Sequence, residues 1–206
     1  MGPIISLFIF GLAAVSALPH RGPTVEGWET SDLSEAARYN PDVQNIYHLF
    51  TRLNPTVSQP LLQGTHGLLG STNFSPNRRT IVLLHGWLDS ITADFNTVLI
   101  PAILSAEDVN VIAVDWSGGA GTVNYFAAVT NTVTSGVSVA RFISWLNGVT
   151  GASPTNYHII GHSLGAHQAG IIGRNLGGRV AYITALDPAF PSWTSHNEKF
   201  RPSDGV

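Results

Sequence analysis

Short apolar runs alternate along this chain with longer segments whose apolar residues recur at helical spacing. The short runs are rich in β-branched residues and bounded by Gly, Pro, Asn or Asp, which is typical of strands. The pattern predicts strands at 46–52, 80–85, 109–115, 157–160 and 180–186, and helices at 94–106, 123–146 and 164–176. Apolar strands separated by helices predict an α/β fold, with a mostly parallel sheet and helices on both faces.

The first 17 residues differ from the rest because they contain no charged side chain. A mainly apolar run at 3–12 precedes Val15-Ser16-Ala17, which suits a signal peptidase cleavage site. The alternatives are a buried N-terminal helix and a membrane anchor, but the run is shorter than the ~20 residues that a membrane span needs. We therefore predict a signal peptide at 1–17, a leader segment at 18–43, and a secreted, extracellular protein without a transmembrane span.

Composition narrows the classes of function. The 206 residues include 10 Lys and Arg against 13 Asp and Glu, which gives a net charge of −3. This balance lacks the basic patch that binds phosphates, so we expect no nucleic-acid partner. The absence of cysteine excludes a disulfide scaffold, cysteine-ligated zinc, iron–sulfur clusters and thiol catalysis. Composition alone therefore indicates a globular protein and implies no cofactor.

One pentapeptide between a predicted strand and a predicted helix carries a chemical signal. Gly161-His162-Ser163-Leu164-Gly165 fits G-x-S-x-G, in which a serine occupies a sharp turn between a strand and a helix. Side chains at Gly161 and Gly165 would collide with the surroundings of such a turn. The pattern alone is weak, because a glycine-rich turn with a helix-capping serine has the same sequence. The strand–turn–helix context favours Ser163 as a nucleophile.

A second turn follows the predicted strand at 80–85. His85-Gly86-Trp87 opens a loop at this point of the sequence. In folds of this kind the oxyanion hole takes one amide from such a loop and one from the residue after the nucleophile. We therefore expect the backbone N–H groups of Trp87 and Leu164 to form an oxyanion hole. The alternative is a turn that only terminates the strand.

Asp187 lies at the end of the predicted strand at 180–186, after Ser163 in the sequence. The acid that orients a catalytic histidine follows the serine along such folds, so Asp187 is the candidate acid. The alternative is that Asp187-Pro188 is an ordinary turn. Asp115 also ends a predicted strand, but it precedes the serine.

The histidines of this chain are poorly placed in sequence to complete a catalytic triad. Seven of the eight histidines precede the candidate acid. His162 lies inside the turn, His167 lies on the next predicted helix, and His85 and His158 belong to strands or their ends, where local hydrogen bonds are expected. Only His196 follows the acid, and nine residues are too few for the separate strand that normally carries the base. We therefore expect the catalytic base to be missing from this chain.

Together these motifs resemble the animal neutral lipase family, which includes pancreatic lipase and phospholipase A1 enzymes. The resemblance runs from about residue 45 to residue 204 and rests on 51–55 (TRLNP), 81–87 (IVLLHGW), 114–117 (VDWS), 160–170 (IGHSLGAHQAG) and 185–189 (ALDPA). It implies an α/β-hydrolase fold, secretion, and hydrolysis of carboxylic esters in a lipid substrate at an interface. It also implies Ser163 as nucleophile, Asp187 as acid, and Trp87 with Leu164 as the oxyanion hole.

Other family features fall near or beyond the last residues. In the family the catalytic histidine and the lid follow the matched segment, so we expect residues 44–206 to form a partial lipase domain, incomplete at its C-terminal end. Family calcium ligands lie near the tail, where Glu198, the Arg201 carbonyl and Asp204 are weak candidates. Calcium is the one cofactor that the resemblance suggests.

Two functions stay open at this point. The first is a secreted carboxylic-ester hydrolase that acts on triacylglycerol or, as a phospholipase A1, on phospholipid. The second is a non-catalytic lipase-like protein that binds lipid or another partner. The intact turn around Ser163 and the acid Asp187 favour descent from a working enzyme.

Overall fold

The computed structural model describes residues 34–193. The predicted signal peptide at 1–17 and most of the leader segment at 18–43 lie outside the described residues. The strands are β1 (Ile46–Phe50), β2 (Gln59–Leu61), β3 (Thr80–Leu84), β4 (Asn110–Asp115), β5 (Tyr157–His162) and β6 (Tyr182–Leu186). The helices are α1 (Pro41–Gln44), α2 (His66–Gly70), α3 (Asp94–Ala106), α4 (Ser117–Ala120), α5 (Tyr125–Thr150) and α6 (Leu164–Asn175), and a 3₁₀ turn spans Pro154–Asn156.

The strands form one mixed sheet in the order β2-β1-β4-β3-β5-β6. The four strands β4, β3, β5 and β6 are parallel, while β1 runs antiparallel to both of its neighbours. Among residues 34–193 no strand pairs with the outer edge of β6. The carboxyl ends of the parallel strands therefore meet at one edge of the sheet, where the predicted site residues follow them.

The central strands are buried on both faces because helices cover the sheet from both sides. In β3, Val82 and Leu84 belong to a core formed with α5 and α6. The alternate residues Ile81 and Leu83 belong to a second core formed with α3. The period of two in strands sends neighbouring side chains to opposite faces, so an all-apolar strand needs cover on each. The predicted α/β fold with helices on both faces is confirmed.

The antiparallel side of the sheet differs from the sequence predictions in two features, and among the parallel strands β5 ends two residues later, and β6 begins two residues later, than predicted. The strand β2 was not predicted, because three residues that include Pro60 give no alternating pattern. The strand β1 ends at Phe50, two residues before the predicted boundary. Asn54 fixes the turn that follows: its side-chain amide donates to the Leu49 carbonyl (2.8 Å), and its side-chain oxygen accepts from Thr51 Oγ1 (2.6 Å). Side-chain hydrogen bonds within the turn, which the apolar pattern does not show, set this boundary.

Arg52 joins the turn after β1 to the last turn of α3. Its Nε–H donates to the Leu104 carbonyl (2.8 Å) and its Nη2 group donates to the Ser105 carbonyl (3.0 Å). These carbonyls lie in the last turn of the helix, where no intrahelical partner is available. Arg52→Ala is therefore expected to lower the free energy of unfolding by about 1–2 kcal/mol, measured by urea denaturation.

The matched control for this prediction is Arg78→Ala. Arg78 forms an exposed ion pair with Asp108 (3.1 Å), and exposed pairs of this kind contribute only about 0–1 kcal/mol. A loss for Arg52→Ala no larger than that for Arg78→Ala would contradict the proposed tie between β1 and α3.

Candidate active site

Three predicted site segments meet at the carboxyl edge of the parallel strands. Gly161 in β5 pairs with Leu84 in β3, and His162 in β5 pairs with Leu186 in β6. The residues that follow these pairs are the loop after β3, the serine turn and the Asp187 turn. Parallel pairing in this register therefore brings together segments that are far apart in the sequence.

Ser163 occupies a strained turn between β5 and α6. Its φ of 54° and ψ of −118° lie in a region that residues with a side chain rarely adopt. Such a conformation costs on the order of 1–3 kcal/mol and persists only where the surrounding structure imposes it. Here the Ser163 N–H donates to the Leu186 carbonyl (3.0 Å), which fixes the turn against the end of β6. The side chain is half-buried at the edge of the sheet.

The two glycines that flank the serine lie where the backbone leaves no room for a side chain. A Cβ at Gly161 would lie 2.0 Å from the Gly165 carbonyl oxygen. A Cβ at Gly165 would lie 2.2 Å from the Leu84 carbonyl oxygen and 2.6 Å from that of His85. Real Cβ atoms do not approach backbone atoms this closely. The collision expected from the G-x-S-x-G pattern is therefore present at both positions.

The two amides expected to form an oxyanion hole are the N–H groups of Trp87 and Leu164. Within residues 34–193 neither amide has a hydrogen-bond acceptor. Leu164 is the first residue of α6, so its N–H points out of the positive end of that helix. The loop that carries Trp87 is close to the serine, because a Cβ on Gly86 would lie 3.2 Å from Ser163 Cβ. Unpaired amides beside a serine can bind an oxyanion.

The buried side chain of His85 fixes the loop after β3. Its ring is fully buried and stacks on Trp116, with ring centroids 5.6 Å apart. Nδ1 donates to the Gly86 carbonyl (3.0 Å), and Nε2 lies 3.2 Å from the Trp116 N and 3.4 Å from Asp115 Oδ1. The Gly86 carbonyl and the Trp87 N–H belong to one planar peptide, so fixing the carbonyl also fixes the direction of the N–H. The local hydrogen bonds expected for His85 are confirmed.

Asp115 lies behind this histidine at the end of β4. Its Oδ1 is 3.4 Å from His85 Nε2 and accepts from the Ser117 N–H (3.0 Å). Burial acts to raise the pKa of Asp115, but the contacts with His85 and Ser117 outweigh it and hold the pKa below its usual value. Asp115 is therefore ionised, and it packs against the histidine that holds the loop after β3. It is not a second candidate acid for the serine.

Asp187 follows β6 directly and lies next to the serine turn. The Leu186 carbonyl before it accepts from Ser163 N, and Ala189 N donates to the Ser163 carbonyl (3.4 Å). Asp187 itself adopts a φ of 43°, and its side chain is exposed. The structure thus brings the candidate acid and the candidate nucleophile to the same edge of the sheet.

The other histidines near the serine make contacts of their own. His167 on α6 approaches the Ala189 carbonyl through Nε2 (2.7 Å) and stacks on Trp193, with ring centroids 4.0 Å apart. His158 Nε2 lies 2.8 Å from Thr184 Oγ1. Within residues 34–193 no histidine nitrogen is hydrogen-bonded to Ser163 Oγ, and His196 lies outside the described residues.

The weak calcium candidates Glu198, Arg201 and Asp204 also lie outside the described residues. Among residues 34–193 no group of three or more His, Cys, Asp or Glu side chains is arranged to hold a metal ion. In the same part of the chain no helix is long and apolar enough to cross a membrane.

The sequence patterns missed one pair of residues at this edge. Asp89 Oδ2 accepts from the Gly86 N–H (3.3 Å) and lies 3.8 Å from His162 Nδ1. An aspartate three residues after a glycine suits a turn, and that spacing was the available signal. The contact with His162 joins the loop after β3 to the end of β5, so no local pattern predicts it.

Comparison with known proteins places the chain in a family. The family model described as Lipase matches residues 18–205. Human pancreatic triacylglycerol lipase is 39% identical over 165 residues, which cover 79% of this chain and 35% of that protein. Bovine pancreatic lipase-related protein 2 is 39% identical over 167 residues, which cover 80% of this chain and 35% of that protein. The chain thus spans about a third of the length of these curated relatives.

Solved structures similar to the chain include two hydrolases. A bacterial membrane phospholipase A is 19% identical, covers 82% of this chain and 46% of its own, and has a TM-score of 0.43. Esterase Est22 is 16% identical, covers 84% of this chain and 54% of its own, and has a TM-score of 0.44. The family match extends over most of the residues, and the mixed sheet has helices on both faces. The chain therefore has an α/β-hydrolase fold and belongs to the lipase family.

Proposed function

We propose that Ser163 is the nucleophile of a secreted carboxylic-ester hydrolase that acts on lipid. The observation that carries the proposal is the serine turn, in which a strained Ser163 lies beside two amides that lack acceptors among residues 34–193. Strain of this kind is concentrated at functional sites, and unpaired amides stabilise negative charge that develops on an ester oxygen. Membership of the lipase family supports the same chemistry.

The proposed reaction is acyl transfer through the serine. Ser163 Oγ attacks the ester carbonyl, and the N–H groups of Trp87 and Leu164 stabilise the tetrahedral oxyanion, at about 3–4 kcal/mol for each donor. The alcohol leaves, an acyl-serine forms, and water hydrolyses it. A base must accept the serine proton, and we assign that base to no residue within 34–193. Asp187 lies where an acid would orient the base.

Apolar surface around the serine supports a lipid substrate at an interface. Leu88, Val123 and Phe190 are strongly exposed. The Trp87 ring packs edge-on against Tyr125 (5.1 Å), and the Tyr125 hydroxyl donates to the Pro191 carbonyl (3.0 Å), so the segments that carry Leu88 and Phe190 both adjoin the start of α5. Exposed apolar residues grouped around a site are typical of surfaces that bind lipid or apolar ligands. We propose two substrates: triacylglycerol, or phospholipid cleaved as by a phospholipase A1.

Secretion predicts a defined N-terminus. Cleavage after Ala17 would leave a mature protein that begins at Leu18. Expression of the full chain in a eukaryotic secretory host is expected to place the protein in the medium, and N-terminal sequencing is expected to read Leu18-Pro19-His20. Retention in the cell with Met1 still present would contradict the proposal of secretion.

A covalent probe tests the proposed chemistry. The full chain is treated with a p-nitrophenyl alkylphosphonate, and hydrolysis of tributyrin and of a diacyl phosphatidylcholine is followed as the adduct forms. The expected result is one phosphonyl group on the peptide that contains Ser163, with loss of hydrolysis in proportion to labelling. An adduct on another residue, or full labelling of Ser163 with hydrolysis retained, would contradict the proposal.

The second candidate is a non-catalytic lipase-like protein that binds lipid or another partner. One observation favours it, namely that no histidine within residues 34–193 is hydrogen-bonded to Ser163 Oγ. Flotation with phosphatidylcholine vesicles separates the two candidates. Binding to vesicles without labelling and without hydrolysis is the result expected of the non-catalytic protein.

A further inference from the structure

The cluster around Gly86 contains two charged or titratable side chains that the proposed reaction does not use. A Cβ on Gly86 would lie 3.1 Å from His162 Nδ1, 3.2 Å from Ser163 Cβ and 3.3 Å from Asp89 Oδ2. The loop after β3 and the serine turn are therefore in van der Waals contact at this glycine. Asp89 lies on the loop and His162 on the turn, so the two side chains meet across the contact.

Asp89 holds Gly86 through two hydrogen bonds. Its Oδ2 accepts from the Gly86 N–H (3.3 Å), and its own N–H donates to the Gly86 carbonyl (3.4 Å). The Gly86 carbonyl also accepts from the buried His85 Nδ1 (3.0 Å). That carbonyl shares a planar peptide with the Trp87 N–H, so the Asp89 N–H and His85 Nδ1 set the direction of this N–H. The Asp89 carboxylate closes the same turn through the preceding peptide, that of the Gly86 N–H.

His162 lies on the other side of the same carboxylate. Its Nδ1 is shielded from solvent, has no hydrogen-bond partner among residues 34–193, and lies 3.8 Å from Asp89 Oδ2. The ring stacks on Phe95 of α3, with ring centroids 5.9 Å apart, so its position is held from two sides. The Asp89 carboxylate therefore lies between the Gly86 amide and the residue that directly precedes Ser163.

We propose that Asp89 is a positioning residue that fixes the Trp87 N–H relative to Ser163, by binding the Gly86 amide while lying against His162. The inference rests on the proposed function, since it concerns the oxyanion hole of that reaction. The carboxylate does not touch the substrate. It keeps the loop after β3 at a set distance from the serine turn, and a displacement of 1 Å at such a site costs about 100-fold in rate.

The experiment compares three variants of the full chain. Asp89→Ala removes the acceptor, Asp89→Asn keeps a side-chain oxygen that can accept from Gly86 N–H, and Asp108→Ala is the matched control. Asp108 is a part-exposed carboxylate that pairs with Arg78 before β4, at the opposite edge of the sheet. Asp89 is itself partly exposed on a loop, so thermal unfolding is expected to show that all three variants fold.

Two readouts decide the proposal. Amide hydrogen exchange of Gly86, measured by NMR, requires no catalysis and is expected to accelerate at least about 10-fold in Asp89→Ala. For a short-chain ester, kcat is expected to fall about 10-fold to 100-fold in Asp89→Ala, with KM unchanged within about twofold. Asp89→Asn is expected to recover most of both values, and Asp108→Ala is expected to match the wild type.

Two outcomes would contradict the proposed role of Asp89. Wild-type exchange at Gly86 together with wild-type kcat in Asp89→Ala would overturn the positioning role, as would an Asp89→Asn variant that behaves like the alanine variant. Failure of the proposed function would be seen separately, as hydrolysis that does not depend on Ser163. In that case the exchange measurement still decides whether Asp89 holds the loop.

Discussion

Replacement of Ser163 by alanine is expected to lower kcat/KM for ester hydrolysis to the level of spontaneous hydrolysis, whatever rate the chain reaches without a base among residues 34–193. Alanine has no hydroxyl to attack the carbonyl, so no acyl-enzyme forms, whereas the Trp87 and Leu164 amides stay in place. The expected thermal unfolding temperature is close to that of the wild type, because alanine and serine are similar in size and meet the same strain at a φ of 54°. The measurement is the initial rate on p-nitrophenyl butyrate and on emulsified tributyrin, each corrected for spontaneous hydrolysis.

The matched control is Ser144→Ala. Ser144 lies on the exposed side of α5, and its hydroxyl donates to the Ala140 carbonyl of the same helix (2.9 Å). This variant is expected to hydrolyse both esters at the wild-type rate. Equal rates for the wild type and Ser163→Ala would contradict the role of Ser163. Absence of hydrolysis in the wild type would favour the non-catalytic candidate.

The parallel part of the fold could be predicted from sequence because burial on both faces leaves a direct pattern. The strand β3 consists of Thr80 followed by four apolar residues, and all five are buried. The helix α3 begins and ends where the apolar spacing predicts, at Asp94 and Ala106. The edge strand β2 shows no such pattern. It has only three residues, of which only Leu61 is buried, and Pro60 interrupts any alternation.

The candidate site could be predicted where its geometry is local in sequence or follows from the order of strands and helices. Gly161 and Gly165 lie within two residues of Ser163, so a single pentapeptide contains both glycines that the close backbone contacts require. The unpaired amides of Trp87 and Leu164 follow from the same topology. By contrast, the contact between Asp89 and His162 depends on the register of β3 against β5 and on the ring of Phe95, so no sequence pattern predicts it.

Gly165→Ala is expected to lower the free energy of unfolding by more than about 3 kcal/mol, the second large effect that we predict. The new Cβ would meet the Leu84 and His85 carbonyl oxygens at 2.2 and 2.6 Å. Both are backbone atoms, one of the last residue of β3 and one of the residue that follows it, so no side-chain rotation relieves the overlap, and α6 has to move away from β3. That movement also displaces the Leu164 N–H, so hydrolysis is expected to fall even in the fraction that folds.

Gly148→Ala is the matched control, because the same methyl group is added at a glycine with free space around it. Gly148 lies in α5 and is exposed, and apart from its chain neighbours and the backbone of its own helix no atom would lie within 4 Å of a new Cβ. Alanine is favoured over glycine inside a helix, so this variant is expected to gain about 0.5–1 kcal/mol in urea denaturation. Recovery of folded Gly148→Ala but not of folded Gly165→Ala would agree with the prediction. A Gly165→Ala protein whose free energy of unfolding lies within about 0.5 kcal/mol of the wild-type value would contradict the prediction. That result would mean that a side chain fits between α6 and the sheet at this position.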